Sequence, residues 1–278
     1  MLSSEVVRKI EGFVFLKPRS VQEIALFIKK NWRTVDRYVK MIEDDYGTIS
    51  SRTFRGGTRG ALKIVYWSAS EKFHSSVFQE SLEKTITNFK RKEDFSAFDI
   101  YQHVDVKHKK VSVVSSEDEE LINHEELISA VSSVKESLIS FSGNLSWINL
   151  GSNGEIFSLL DSLIKRGVKI RVICRVDLAS VDNVVRLLSL NHKYGKELVE
   201  IRHSEQPVRA FVIDNKILRI KEIMVPTGRS KELSKKVFLF YSISDKEWVC
   251  WITKVFWKLF NSSVDANKRL SELKKLRV

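Results

Sequence analysis

Apolar residues near the start of the chain recur at intervals of three and four, the period of helices with one buried face. Val7, Ile10 and Val14, flanked by Val6 and Phe13, predict a helix over residues 3–15, which Lys17-Pro18 ends. Val21, Ile24, Ala25 and Ile28 predict a second helix, opened by Ser20 and Glu23 at capping-box spacing. Val35, Tyr38, Val39 and Ile42 predict a third, stopped by Gly47. The period then falls to two. Residues 48–54 and 61–67 read as strands, the second with Leu62, Ile64 and Tyr66 alternating against Lys63 and Val65, and the glycine-rich run 55–60 joins them.

Residues 20–46 therefore read as a helix-turn-helix, and three helices followed by a hairpin make a winged helix. Arg33, Thr34, Arg37 and Lys40 lie away from the apolar stripe of the third helix. A short helix with an apolar back and a cationic front fits the ~12 Å major groove of DNA. In the hairpin, Arg52, Arg55, Arg59 and Lys63 give the wing a cationic tip that can touch phosphates or enter a minor groove. Taken singly, the glycines also suit a plain hairpin turn and the arginines a solvated edge that blocks strand pairing. Tyr38 and Trp67 are expected in the core.

The pattern continues with a helix over 71–91, carrying Phe73, Val77, Leu82, Ile86 and Phe89. It is long enough to pair with a copy of itself, or it docks on the winged domain. Periodicity weakens from Lys92, and 107–120 mixes basic, serine and acidic runs. These shifts divide the chain into a DNA-binding domain at 1–69, a helical linker at 70–118 and a second domain at 119–278.

In the second domain Leu127, Val131, Val134 and Leu138 keep helical spacing. Strands are then predicted at 145–150, 168–175, 198–202, 208–213, 217–220 and 237–242, and helices at 155–166 and 180–190. Ser244 and Glu247 are placed to cap a helix running to Phe260. This order is an α/β layer with a parallel pair. Trp248, Trp251, Phe256, Trp257 and Phe260 occupy more than one side of that late helix, which predicts burial by the domain and by a second surface, a homodimer interface or a thick core. Residues 268–277 predict a basic terminal helix.

Composition sharpens the picture. The 278 residues carry a net charge of +12, which favours a polyanionic partner. Residues 1–67 hold 13 Lys/Arg against 7 Asp/Glu, half of the net charge in about a quarter of the chain. Cys174 and Cys250 lie in apolar runs without CxxC spacing, and the six histidines are scattered, so neither a disulfide framework nor a metal site is expected. No phosphate-binding glycine motif occurs, and no cofactor is expected. Nothing near Met1 resembles a signal peptide and no apolar run reaches the ~20 residues of a membrane span. The expectation is a cytoplasmic, nucleoid-associated protein with no membrane partner.

Two resemblances bear on function. The segment SVQEIALFIKKNWRTVDRYVKMIEDDYGTI resembles the winged helix of bacterial and archaeal transcription regulators. FSLLDSLIKRGVKIRVICRVD with VEIRHSEQPVRAFVIDNKILRI resembles a phospholipase D-like domain, in the version attached to winged helices in TrmB-like archaeal regulators. Active phospholipase D enzymes carry HxKxxxxD, with the His as nucleophile and the Lys steadying phosphate charge. Aligned on Asp214, this chain has Pro207 in place of the His and Arg209 in place of the Lys, and Lys221 and Glu222 stand where a Gly-Ser-x-Asn element follows.

Proline offers no nucleophile, so the resemblance implies a catalytically silent domain and no enzyme. Arg209 and Asp214 are left as framework or as an ion pair. The loop Gly151-Ser152-Asn153-Gly154, between strand and helix, can hold an anion or serve as an ordinary turn, and a small-molecule effector stays open.

The sequence thus predicts an α/β protein in which a winged helix is joined by a helical linker to a phospholipase D-like α/β sandwich. The function it predicts is a transcriptional regulator binding double-stranded DNA as a homodimer. The alternatives are a chromatin-organising protein that coats DNA and a nuclease with a non-standard site.

Overall fold

The computed structural model describes residues 3–46, 48–55, 61–67, 75–115, 119–151, 154–226 and 236–275. Its N-terminal part is a winged helix, α1 (Ser4–Leu16), β1 (Arg19–Ser20), α2 (Val21–Phe27), α3 (Trp32–Asp45), β2 (Ile49–Arg55) and β3 (Ala61–Trp67). Ser3 caps α1 through its side chain. The box at α2 is closed in both directions, with Glu23 N–H donating to Ser20 Oγ at 3.1 Å and Ser20 N–H donating to a Glu23 carboxylate oxygen at 2.7 Å. Val7, Ile10, Val14, Ile24, Val35, Val39 and Ile42 share one core with Ile49 and Val65 of the hairpin.

That hairpin has two buried faces. Strand β3 lies between β1 and β2, and the register sets Arg52 opposite Ile64 and Phe54 opposite Leu62. Residues opposite in a ladder share a face, and the face alternates along each strand. Ile49 and Val65 therefore meet the helices, while Phe54, Leu62 and Ile64 join the core of the second domain. The winged helix is fused to the rest of the molecule along the back of its own sheet.

The remainder is α4 (Ser75–Asn88), α5 (Ala97–Tyr101), β4 (Lys109–Ser115), α6 (Glu119–Ser132), β5 (Ser137–Phe141), α7 (Glu155–Lys165), β6 (Lys169–Cys174), α8 (Val181–Tyr194), β7 (Val199–His203), β8 (Ala210–Ile213), β9 (Ile217–Met224), β10 (Val237–Ile243), α9 (Lys246–Ser262), β11 (Val264–Asp265) and α10 (Ala266–Lys275). Among the described residues the strands form one eight-stranded sheet, ordered β11-β7-β6-β5-β8-β9-β10-β4. Its β5-β6-β7 part is parallel and the rest antiparallel. Helices α6, α7, α8 and α10 cover one face. Helix α9, with α4, α5 and the hairpin, covers the other. The fold class is α/β, a winged helix joined to an α/β sandwich.

Several expectations are corrected. The helix predicted through Leu138 ends at Ser132, and Leu138 lies in β5. Residues 145–150, predicted as a strand, form a 3-10 turn entered by Leu145 at φ 61°. The stretch 70–118 is not purely a helical linker, because β4 pairs with β10 as an edge of the large sheet. Helix α4 packs on α9, with Gln79 bonded to Glu247, Lys258 to Glu83, and Phe78 against Trp248, and its Leu82 and Ile86 share a core with Phe54, Leu62 and Ile64 of the hairpin.

Helix α9 is capped by Asp245, which accepts from Glu247 and Trp248 N–H, while Ser244 Oγ donates to His108 O. Its aromatic residues are covered on both sides by this chain, with Trp248 against Phe78 and His103 and Phe256 against Phe141. Cys174 is buried, and burial pushes its thiol up to about 12, whereas Cys250 is exposed rather than set among apolar groups. Among the described residues no helix is long and apolar enough to cross a membrane.

Candidate nucleic-acid interface

The third helix owes its position to caps and ties at both ends. Asn31 takes the extended conformation before it, and its Oδ1 accepts from Thr34 N–H at 2.8 Å, which satisfies one of the amides that a helix start leaves open. Val35, Val39 and Ile42 are fully buried. Near its other end the Glu43 carboxylate accepts from Ser51 N–H at 3.1 Å and Ser51 Oγ at 3.0 Å, fixing α3 to β2.

On the free face Arg33, Arg37 and Lys40 are all exposed. Spacings of four and three put them in one row. Arg33 lies 5.9 Å from the Trp32 ring and Arg37 5.9 Å from the Tyr38 ring, the outer limit of a cation–π contact. Thr34 is half-buried and its amide serves the cap. Lys29, with φ at 55°, and Lys30 lie in the turn just before the Asn31 cap of α3, and both are exposed. The sequence reading passed over these two, although consecutive lysines just before a helix N-cap were visible.

The hairpin cations separate. Lys63 Nζ sits 2.7 Å from Asp36 Oδ1, on the helix side, so its charge ties β3 to α3. Arg52 lies on the opposite face, 5.1 Å from the Tyr101 ring and 5.7 Å from Phe54. Arg55 ends β2, with its side chain outside the described residues, as are Arg59 and Gly47. The structure thus brings together Arg33, Arg37 and Lys40, gives Lys63 an internal partner and turns Arg52 toward the second domain.

The positions aligned with the phospholipase D motif hold framework. Pro207 is buried. The Arg209 guanidinium donates to Gln206 O at 3.0 Å and Val208 O at 2.8 Å. Asp214 makes no pair with it. Its carboxylate accepts from Lys135, Glu136 and Ser137 N–H, the shortest at 2.7 Å. Burial alone would raise this carboxyl, but the three amides hold it below its ordinary value. His203 Nδ1 accepts from Val176 N–H at 2.8 Å, and burial, with Arg269 nearby, lowers its pKa. A cleft of about 1190 Å³ runs from Lys17 and Arg19 past Glu222 to Trp147 and Arg209. Of the anion loop, Ser152 and Asn153 lie outside the described residues; Glu155 opens α7 directly after Gly154.

No family model matches the sequence, and no curated protein matches it. Among solved structures the chain is similar to Nuc, a phospholipase D family member from Salmonella typhimurium, at 14% identity and TM-score 0.41, over 56% of this chain and 97% of that one. NucT from Helicobacter pylori is similar at 18% identity and TM-score 0.38, over 56% and 99%. TrmBL2, an archaeal chromatin protein whose structure shows a novel mode of DNA binding, is similar at 14% identity and TM-score 0.37, over 95% and 94%.

Proposed function

We propose that this chain is a transcription regulator that binds double-stranded DNA through α3, with the α/β domain acting as a non-catalytic body. The observation that carries the reading is the division of α3 into a fully buried stripe of Val35, Val39 and Ile42 and an exposed row of Arg33, Arg37 and Lys40. The buried stripe holds the helix rigidly, so the backbone under the row needs no ordering on binding, and three cations at helical spacing match groove phosphates and guanine edges. One such helix covers one half-site. A homodimer would place two of them about one DNA turn apart on a pseudo-palindrome.

The absence of a nucleophile at Pro207 and the use of Arg209 and Asp214 on backbone groups support a body without phosphodiesterase chemistry. Fluorescence anisotropy on a selected duplex against random duplexes tests the whole reading. A regulator favours its site by ~10³ or more. Equal affinity for every duplex would make the protein a coating factor, and no affinity would end the DNA reading. Light scattering at micromolar concentration tests the dimer; a monomer on DNA and off it removes that part.

A further inference from the structure

The eight-stranded sheet has one end that is cationic along its length. Lys196 precedes β7, Lys165 and Lys169 flank the entry to β6, Lys135 precedes β5, and Lys216 occupies the turn between β8 and β9. All five are exposed, and none is ion-paired with a carboxylate among the described residues. Topology brings them to one end. Ser137 pairs with Lys169, Ile170 N–H donates to Leu198 O, and Asp214 of the β8–β9 turn takes the amides of Lys135, Glu136 and Ser137.

The same end continues across β10 to β4, where Ile243 pairs with Lys109 and Ser244 N–H donates to His108 O. There it reaches the wing. Lys109 Nζ lies 4.7 Å and Arg52 Cζ 5.1 Å from the ring of one residue, Tyr101. Two like charges crowded on one ring are mutually unfavourable, and Arg52 adds to burial in lowering the Lys109 pKa. An anion laid over them would relieve that repulsion.

Three carboxylates of this end are engaged by backbone amides: Asp214 serves three, Asp105 accepts from Lys107 N–H, and Asp245 caps α9. Asp105, Glu136, Glu197 and Glu247 are exposed there and are outnumbered by the exposed lysines, among them Lys107 and Lys246 beside the row of five. With strands ~4.8 Å apart, the row from β7 to β4 is about 29 Å long, close to one ~34 Å turn of duplex.

We infer that this end of the sheet is a second DNA-contacting surface, along which a duplex held by the winged helix runs from Arg52 and Lys109 toward Lys169 and Lys196. It grips phosphates and reads no bases. The inference rests on the reading that this chain binds duplex DNA, and it adds to that reading where the duplex goes.

The test compares the full chain with a Lys135→Gln/Lys169→Gln/Lys216→Gln variant, and separately with Lys165→Gln/Lys196→Gln, on a long duplex of about one turn per docked surface and on one too short to leave the winged helix. On the long duplex each variant should lose about tenfold or more in affinity, and its plot of log affinity against log salt should flatten by ~0.9 for each lysine in contact. On the short duplex both should match the wild type. Exposed Lys→Gln changes keep the fold, which thermal melting verifies. Unchanged affinity and slope on the long duplex overturn the second surface and leave DNA binding through α3 intact. A wild type without affinity for either duplex overturns both.

Discussion

Lys63 Nζ of strand β3 and Asp36 Oδ1 of helix α3 are 2.7 Å apart, which clamps the hairpin to the helix that carries Arg33 and Arg37. Both side chains are partly exposed, so the pair is screened and contributes about 0.2–1 kcal/mol. Asp36 is also a carboxylate beside the cationic row. Asp36→Ala is therefore expected to lower stability by about 0.5 kcal/mol, while DNA affinity rises, because a repelling charge leaves and Lys63 becomes free. Melting and anisotropy on one preparation check this; a fall in affinity would mean that the clamp, rather than the charge, matters more.

Arg37 is exposed at the centre of the row, 5.9 Å from the Tyr38 ring, and makes no ion pair among the described residues. Arg37→Ala should leave the melting temperature unchanged and weaken DNA binding. If Arg37 reads a guanine, the loss is ~1–3 kcal/mol and falls on one base position; if it holds a phosphate, the loss is uniform and the salt slope drops by ~0.9. Unchanged binding to every duplex removes Arg37 from the interface.

The winged helix was legible because each of its helices carries one apolar stripe and its own start signal, as Ser20 and Glu23 do for α2. Strand β5 was not. Its residues from Leu138 to Phe141 are buried on both faces, so alternation is lost, and Leu138 happens to continue the helical spacing of Leu127, Val131 and Val134. The reverse error occurred at 145–150, where a short apolar run of Leu145, Trp147, Ile148 and Leu150 reads as a strand but forms a 3-10 turn with Ile148 wholly buried. Strand β4 escaped notice inside a mixed-charge run, although its Val111 and Val113 alternate. At the candidate interface the cationic row of α3 followed from helical period alone. The fates of Lys63 and Arg52 did not, since they depend on Asp36, 27 residues away, and on Tyr101 in another layer.

Gly143 lies under the Arg209 guanidinium. A Cβ there would come within 3.1 Å of one guanidinium nitrogen and 3.2 Å of another. Gly143→Ala should displace the Arg209 side chain from Gln206 O and Val208 O and cost about 1 kcal/mol, at the mild end of overpacking because the tip of a long side chain can give way. DNA affinity should not change. Denaturant unfolding and anisotropy measure the two, and a loss of DNA binding would show that Arg209 communicates with the winged helix.

The last expectation concerns pH. Asp99 of α5 faces Glu222 of β9 beneath the winged helix, with Lys17 and Arg19 close enough to bear on both and Ser96 Oγ donating to Glu222 at 2.9 Å. Burial, then the neighbouring Glu222 charge, pushes the Asp99 carboxyl up to about 8, and Lys17 and Arg19 only partly offset it. A carboxyl raised in the folded state keeps its proton when the unfolded chain has lost it. Its contribution is thus fully favourable below about pH 4, declines through neutrality and is lost once pH passes about 8. Asp99→Asn supplies a neutral side chain of the same shape at every pH. The variant should equal the wild type at about pH 3, where the carboxyl holds its proton in both the folded and the unfolded chain, and exceed it at about pH 8.5 by on the order of 2 kcal/mol or more, the scale of a buried charge left without full compensation. The comparison is read from denaturant midpoints at the two pH values, where groups remote from Asp99 titrate alike in both proteins and cancel. Parallel pH profiles for the two proteins would mean that Asp99 is ionised throughout and that Lys17 and Arg19 neutralise it after all.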